Sequence, residues 1–376
     1  MFYKFICLLL LVAATTTSCI KEEPLHRETD IQSFRIEGDA YISTPTISNH
    51  AITVMVKNDA DLTNLTPIIG LPEGATVSPA SGVAQDFSNG SVQYTVRAQD
   101  SSFIRIYSVS VIQPSSLSLK FDFEKWQLTK SGYYDLMSNS GTELVKLWDS
   151  GNSGIAIYSK EQFPTTPDST DYYQGHCSAR LQTLKGNVNI GAIKVPIFSG
   201  SLFYGTFKLN ILDPRKSVRL GQPHQKEAGK PLVFTGYYKY TPGTPFIYLE
   251  GSGKDAVEVH SDTIVDEAAM YAVLYKVTKG NSANEYLDGI TIADDARIVA
   301  RADWKKENAS RTDRAASSGY TRFFIPFVYT EELDFNQYDY KLAILFASSK
   351  AGDQYRGAVG STLNVDEVQI VCETIK

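Results

Sequence analysis

Three stretches bring rings, amides and charges close enough together to do chemistry. "KLWDSGNSG" (146–154) sets Trp148 beside Asp149 and Asn152 in a glycine-rich loop. Such a set can stack an indole on a sugar ring and bond its hydroxyls with a carboxylate and an amide. The competing reading is an indole that closes the end of the core, with a polar turn behind it. In "FTGYYKYTPG" (234–243), strand alternation puts Gly236, Tyr238 and Tyr240 on one side and Tyr237 and Lys239 on the other. One of these faces must turn away from the core, and a Tyr/Lys or Tyr/Tyr wall suits a polar ligand; tyrosine-rich sheet packing is the alternative. "ASSKAGDQYRGAVGSTL" (347–363) gathers Ser348, Ser349, Lys350, Asp353 and Arg356 in a loop between two strong strands. Loops on a rigid scaffold often carry function, although many charged loops are only solvated.

The chemistry that is missing narrows the field. No GxSxG elbow and no HExxH zinc pair occurs. The five histidines, His26, His50, His176, His224 and His260, have no ligand spacing. "GSGK" (251–254) lacks the rest of a phosphate loop, and Gly229–Lys230 runs into Pro231. No E-x-D-x-x-E places two acids on one strand, but an acid and a base can come from separate strands. The sequence names no catalytic residue.

The elements that must hold these groups read as β throughout. From Ile31 the period is two: Ile52, Val54 and Val56; Val92, Tyr94 and Val96; Tyr107, Val109 and Val111. Turn clusters such as "LPEGATVSPASG" (71–82) separate short antiparallel strands, about six or seven over 31–114, the rhythm of an immunoglobulin-like sandwich. "QPSSLSLK" (113–120) marks a boundary. Beyond it, residues 115–376 carry "KLNIL" (208–212), "LVFTGYYKY" (232–240), "MYAVLYKV" (270–277), "RIVARADW" (297–304), "TRFFIPFVY" (321–329), "YKLAILFASS" (340–349) and "LNVDEVQIV" (363–371). These predict a larger jelly-roll sandwich, with its concave sheet the natural place for a ligand. "VDEAAMY" (265–271) runs straight into β-branched and aromatic residues and predicts no helix.

The N-terminus speaks to location. Met1–Lys4 carry one positive charge, Phe5–Ala14 are apolar, and Thr15–Ser18 are small and polar, the three-part pattern of a secretory signal over 1–18. The apolar run is too short to span a bilayer. Its end before Cys19 resembles the bacterial lipobox, with Thr16 where Leu is usual, and implies lipidation of Cys19. Several acyl chains on one residue anchor a protein firmly. "KEE" (21–23) resembles the tag that sends some Gram-negative lipoproteins to the outer face of the outer membrane, and 19–30 reads as a tether. A net charge of −6 argues against a nucleic-acid partner. Cys177 and Cys372 could pair in an oxidising compartment or stay as buried thiols.

Taken together, "WDSGN", "GYYKYTPG", "MYAVLY" and "SSKAGD…GAVGSTLNVDEV" resemble the putative carbohydrate metabolism domain family of outer-membrane lipoproteins in polysaccharide-harvesting bacteria. The resemblance implies an Ig-like sandwich followed by a jelly roll similar to those of glycoside hydrolases and carbohydrate-binding modules. In such jelly rolls an acid of the first strand and one of the last often share a structural Ca²⁺. "FDFEKW" (121–126) and "NVDEVQI" (364–370) offer Glu124 and Asp366 for it, with Asp122 in reserve; acids on edge strands are the alternative. The expectation is a surface lipoprotein that binds a glycan fragment through Trp148, Asp149, Asn152, Tyr237, Tyr238, Lys239, Tyr240, Lys350 and Asp353. Other surface proteins of glycan use would be its partners. A hydrolase with acids on separate strands, and a structural or adhesion protein, are the other readings.

Overall fold

The computed structural model describes residues 25–375, apart from 39, 41–44, 48–49, 58, 114–117, 141–142, 191–192, 252 and 306–318. The signal, Cys19 and Lys21–Glu23 lie outside the described residues.

The period-two runs become strands because they bury one face. Ile52, Val54, Val56, Tyr94, Val96, Tyr107 and Val109 meet in one N-terminal core, with Val92 and Val111 at its margin. Seven strands between Ser33 and Ile112 form a two-stranded and a five-stranded sheet around it. One pairing departs from the antiparallel expectation: Ala51–Met55 runs parallel to Ile104–Ile112. Parallel neighbours need a long crossover, and the intervening strands supply it.

Residues beyond Leu119 build two larger antiparallel sheets face to face. One has eight strands, with Trp148–Ser150, Ser201–Phe207, Tyr338–Ala347, Ala269–Thr278, Ile298–Asp303 and Val328–Tyr329 side by side in that order. The other has six, running Thr165–Asp168, Ser178–Gln182, Thr362–Glu373, Lys230–Thr241 and Thr321–Pro326, with Leu119–Phe121 on the Thr362–Glu373 strand. The chain is thus all-β: an Ig-like sandwich followed by a larger jelly-roll sandwich. Met55 packs with Val233, Phe324 and Val371 where the two meet.

The long strands of the eight-stranded sheet read as nearly continuous apolar runs because both their faces are covered. Tyr340, Leu342, Ile344 and Phe346 point into the main core with Met270, Ala272 and Leu274. Ala343, Tyr271, Val273 and Tyr275 point the other way, into a second apolar cluster with Phe203, Ile292 and Phe207. That outer face is where the sheet can hold a ligand. "KLNIL" is not a strand: Ser201–Phe207 ends before it. The Asn210 side chain captures the amides of Leu212 and Asp213 at 3.1 Å each, and Pro214 follows, so the chain turns. Ile211 and Leu212 are left 61 % and 94 % exposed.

Candidate functional site

A cleft of about 1180 Å³ is lined by the outer face of the eight-stranded sheet and by Tyr238, Lys239 and Tyr240 of the six-stranded sheet, above the roughly 300–1,000 Å³ usual for small-molecule sites. Strand register sets its floor. Ser201, Ala347 and Ala269 form one cross-strand row of small side chains. Two residues along, Phe203, Leu345, Tyr271 and Asp303 form the next. The small row keeps the floor low beside the larger one.

One wall is charged. Arg301 reaches the two oxygens of Asp303 at 3.0 and 2.8 Å, donates to the Ile292 carbonyl at 2.6 Å, and lies 5.7 Å from the Tyr271 ring centre. Burial pushes the Tyr271 phenol well above its usual range; Arg301 opposes the shift, while the charges of Asp353 and Asp303 add to it. Tyr271 is therefore a neutral phenol, able to donate or accept. Burial likewise raises the Asp353 carboxyl, against backbone amides and Arg215. At the far rim Lys350 pairs with Glu267 at 3.2 Å. Asp266 is no candidate acid despite its place in the wall: it is buried, and one oxygen accepts from Ser349, Ala358 and Ser361 at 2.6–2.7 Å. The Trp304 indole N–H and the Tyr355 hydroxyl, both in the wall, are buried without a hydrogen-bond partner among the described residues.

Of the residues singled out by sequence, Tyr238, Lys239, Tyr240, Lys350 and Asp353 line this cleft. Tyr238 sits edge-on to Trp304 at 5.7 Å, and Tyr240 donates to the Ser348 carbonyl at 3.1 Å. Lys239 is also tied to Asp171 at 2.8 Å.

The other candidates are structural. Trp148 is 0 % exposed, boxed by Phe121, Phe123, Tyr204 and Phe346, so no sugar can reach its ring. Asp149 accepts from the amides of Ser150 and Phe207 and pairs with Lys146 at 2.9 Å. Asn152 is buried, bracketing the Thr165 backbone with its amide group. Tyr237 faces away from the cleft's tyrosines and stacks on Tyr173 at 3.6 Å.

At the domain's opening and closing strands, acids do crowd together. Glu124 accepts from the amides of His176 and Cys177, and Asp366 from those of Tyr173, Gln174 and Glu367. Gly175, at φ +78°, permits this, because any side chain there would run into the Glu124 carboxylate. The carboxylates thus spend lone pairs on main-chain amides, and no group of three or more metal-ligating side chains assembles among the described residues. Cys177 and Cys372 are free and buried.

Tyr271, Arg301 and Asp303 were missed by sequence reasoning. Their signal was there: alternation in "MYAVLY" and "RADW" gives each strand an outer face carrying a ring or a charge.

Residues 122–371 match the model of the putative carbohydrate metabolism domain. The chain belongs to this family. Residues 31–111 also match the model described as SGBP, N-terminal. Among solved structures, the chain is 29 % identical to a putative glycoside hydrolase from Bacteroides thetaiotaomicron, over 94 % of this chain and 100 % of that one, with a TM-score of 0.55. A putative glycoside hydrolase from Bacteroides vulgatus is 26 % identical, over 68 % and 98 %, with a TM-score of 0.53. No curated protein sequence matches. The family's matched region holds every cleft residue named above.

Proposed function

We infer that the protein binds a carbohydrate in this cleft. The observation that carries the reading is the Tyr271 platform, flanked by the Arg301–Asp303 pair on the outer face of the sheet. An aromatic ring offers a surface for the apolar face of a sugar, and the fixed charges accept and donate to its hydroxyls. The half-buried rings of Tyr238 and Tyr240 in the same lining support it. So do the two family matches, both to carbohydrate-related domains.

A panel of oligosaccharides and polysaccharides, tested by affinity electrophoresis and calorimetry on wild type and Tyr271→Ala, checks this. Binding lost in the variant supports the site, and no binding by wild type to any glycan overturns it.

A second reading, a glycoside hydrolase, is favoured by one specific feature. Asp353 and Asp303, the latter forked to Arg301, line the cleft from separate segments. Two carboxyls from separate segments of one cleft are what an acid and a base of glycoside hydrolysis need, and two relatives are described as putative glycoside hydrolases. Product analysis on every bound glycan, with Asp353→Asn alongside, decides between capture and cleavage.

The location we propose is the cell surface, held by lipid on Cys19. No helix among the described residues is long and apolar enough to cross a membrane. Loss of membrane association in Cys19→Ala would support the anchor; unchanged association would remove it.

A further inference from the structure

The cleft is not uniformly suited to a glycan. Its main floor row runs Phe203, Leu345, Tyr271, Asp303 across four neighbouring strands. At about 4.8 Å per strand, it passes from wholly apolar to charged over roughly 14 Å. Exposure follows the same direction: Phe203 is buried, Leu345 and Tyr271 are half-buried, and Asp303 is exposed.

The apolar end also continues upward. Phe207 stands in the cluster above Phe203, and the short helix Asn152–Ile155 turns Gly154 toward it. A side chain at Gly154 would meet the Phe207 ring at 3.0 Å and Leu209 at 3.7 Å.

A glycan bears hydroxyls along its whole length. Laid across this floor, it would bury some of them against Phe207 and Leu209 without partners, at a cost in free energy. A molecule that is a sugar at one end and apolar at the other satisfies both walls. We propose that the cleft takes an amphiphilic glycoside, with the sugar over Tyr271 beside the Arg301–Asp303 pair and an apolar aglycone over Leu345, against Phe207 and Leu209. The proposal rests on the carbohydrate reading and narrows its ligand class.

Matched methyl and octyl glycosides of glucose, galactose, mannose and xylose test it, by calorimetry on the purified full-length protein with octyl glycosides below micelle formation. For the sugar that fits, the octyl compound binds about tenfold or more tighter than its methyl partner, as expected for burial of a few methylene groups. The variant Leu209→Ala, at a half-buried position of the apolar end, narrows that gap and leaves the methyl affinity unchanged, with a thermal melt alongside to show that it folds. Phe207→Ala narrows it further.

Equal affinities for octyl and methyl partners overturn the proposal and leave carbohydrate binding standing. Free octanol bound as tightly as the octyl glycosides overturns both. If neither series binds, the proposal falls, and the oligosaccharide panel then decides the carbohydrate reading separately.

Discussion

Arg301 grips Asp303 at two points, Nε to Oδ2 at 3.0 Å and Nη2 to Oδ1 at 2.8 Å. The fork fixes the carboxylate beside Tyr271 while leaving it lone pairs for a ligand. The pair is partly exposed, so its worth to folding is small, and its value lies in holding a charge in place. Asp303→Asn should therefore melt within a few degrees of wild type and lose roughly tenfold or more in glycan affinity. A calorimetric titration beside a thermal melt reads both. Unchanged affinity would remove Asp303 from the site.

Trp148→Ala should behave in the opposite way. The indole is closed in by four aromatic rings, and truncating a buried aromatic costs about 3–5 kcal/mol. Binding then falls only because the folded population falls. Trp148→Phe, which keeps most of the packing, should bind as wild type does at a temperature where it is folded. A stable Trp148→Phe protein that cannot bind would return this residue to the site.

The contrast between these two positions shows what could be read in the sequence. Period-two patterning gave both sandwiches, because a strand that buries one face must alternate. Tyr238 and Tyr240, which line the cleft, were singled out by that alternation, and Lys350 and Asp353, which also line it, by their place in a loop between long strands. "WDSGN" misled because Trp, Asp and Asn are also what a structural corner needs: a ring for the core, a carboxylate for Lys146 and the Phe207 amide, an amide group for Thr165. Composition cannot separate the two uses; burial does. The row from Phe203 to Asp303 was hidden for another reason. It is drawn from four strands, and only cross-strand register brings them together.

The two thiols of the jelly roll should be inert in the folded protein. Burial pushes Cys177 up to about 11 and Cys372 up to about 12, so almost no thiolate exists at neutral pH. Alkylation at pH 8 followed by peptide mapping should leave both unlabelled, and labelling should become complete in denaturant. Modification of either in native protein would contradict the burial seen here.

Glu367 gives a test of the crowded acids. It sits at φ 47°; burial, together with the charges of Asp366, Asp122 and Glu124, raises its carboxyl above the ordinary 4.5. A carboxyl whose folded pKa lies above its unfolded value takes up a proton on folding, so stability falls as pH rises through the window just above 4.5. Glu367→Gln removes the charge and keeps the shape. The variant should therefore melt higher than wild type at pH 7, and the difference should fade as the pH drops below 4.5. Calcium separates the remaining possibilities for Glu124 and Asp366. Their bonds to the 173–177 loop and Glu367 amides predict no change in wild-type melting on adding calcium or a chelator. A rise with calcium that the chelator reverses would instead put an ion among these acids. A Glu367→Gln protein no more stable than wild type at pH 7 would show that the amides already absorb the repulsion.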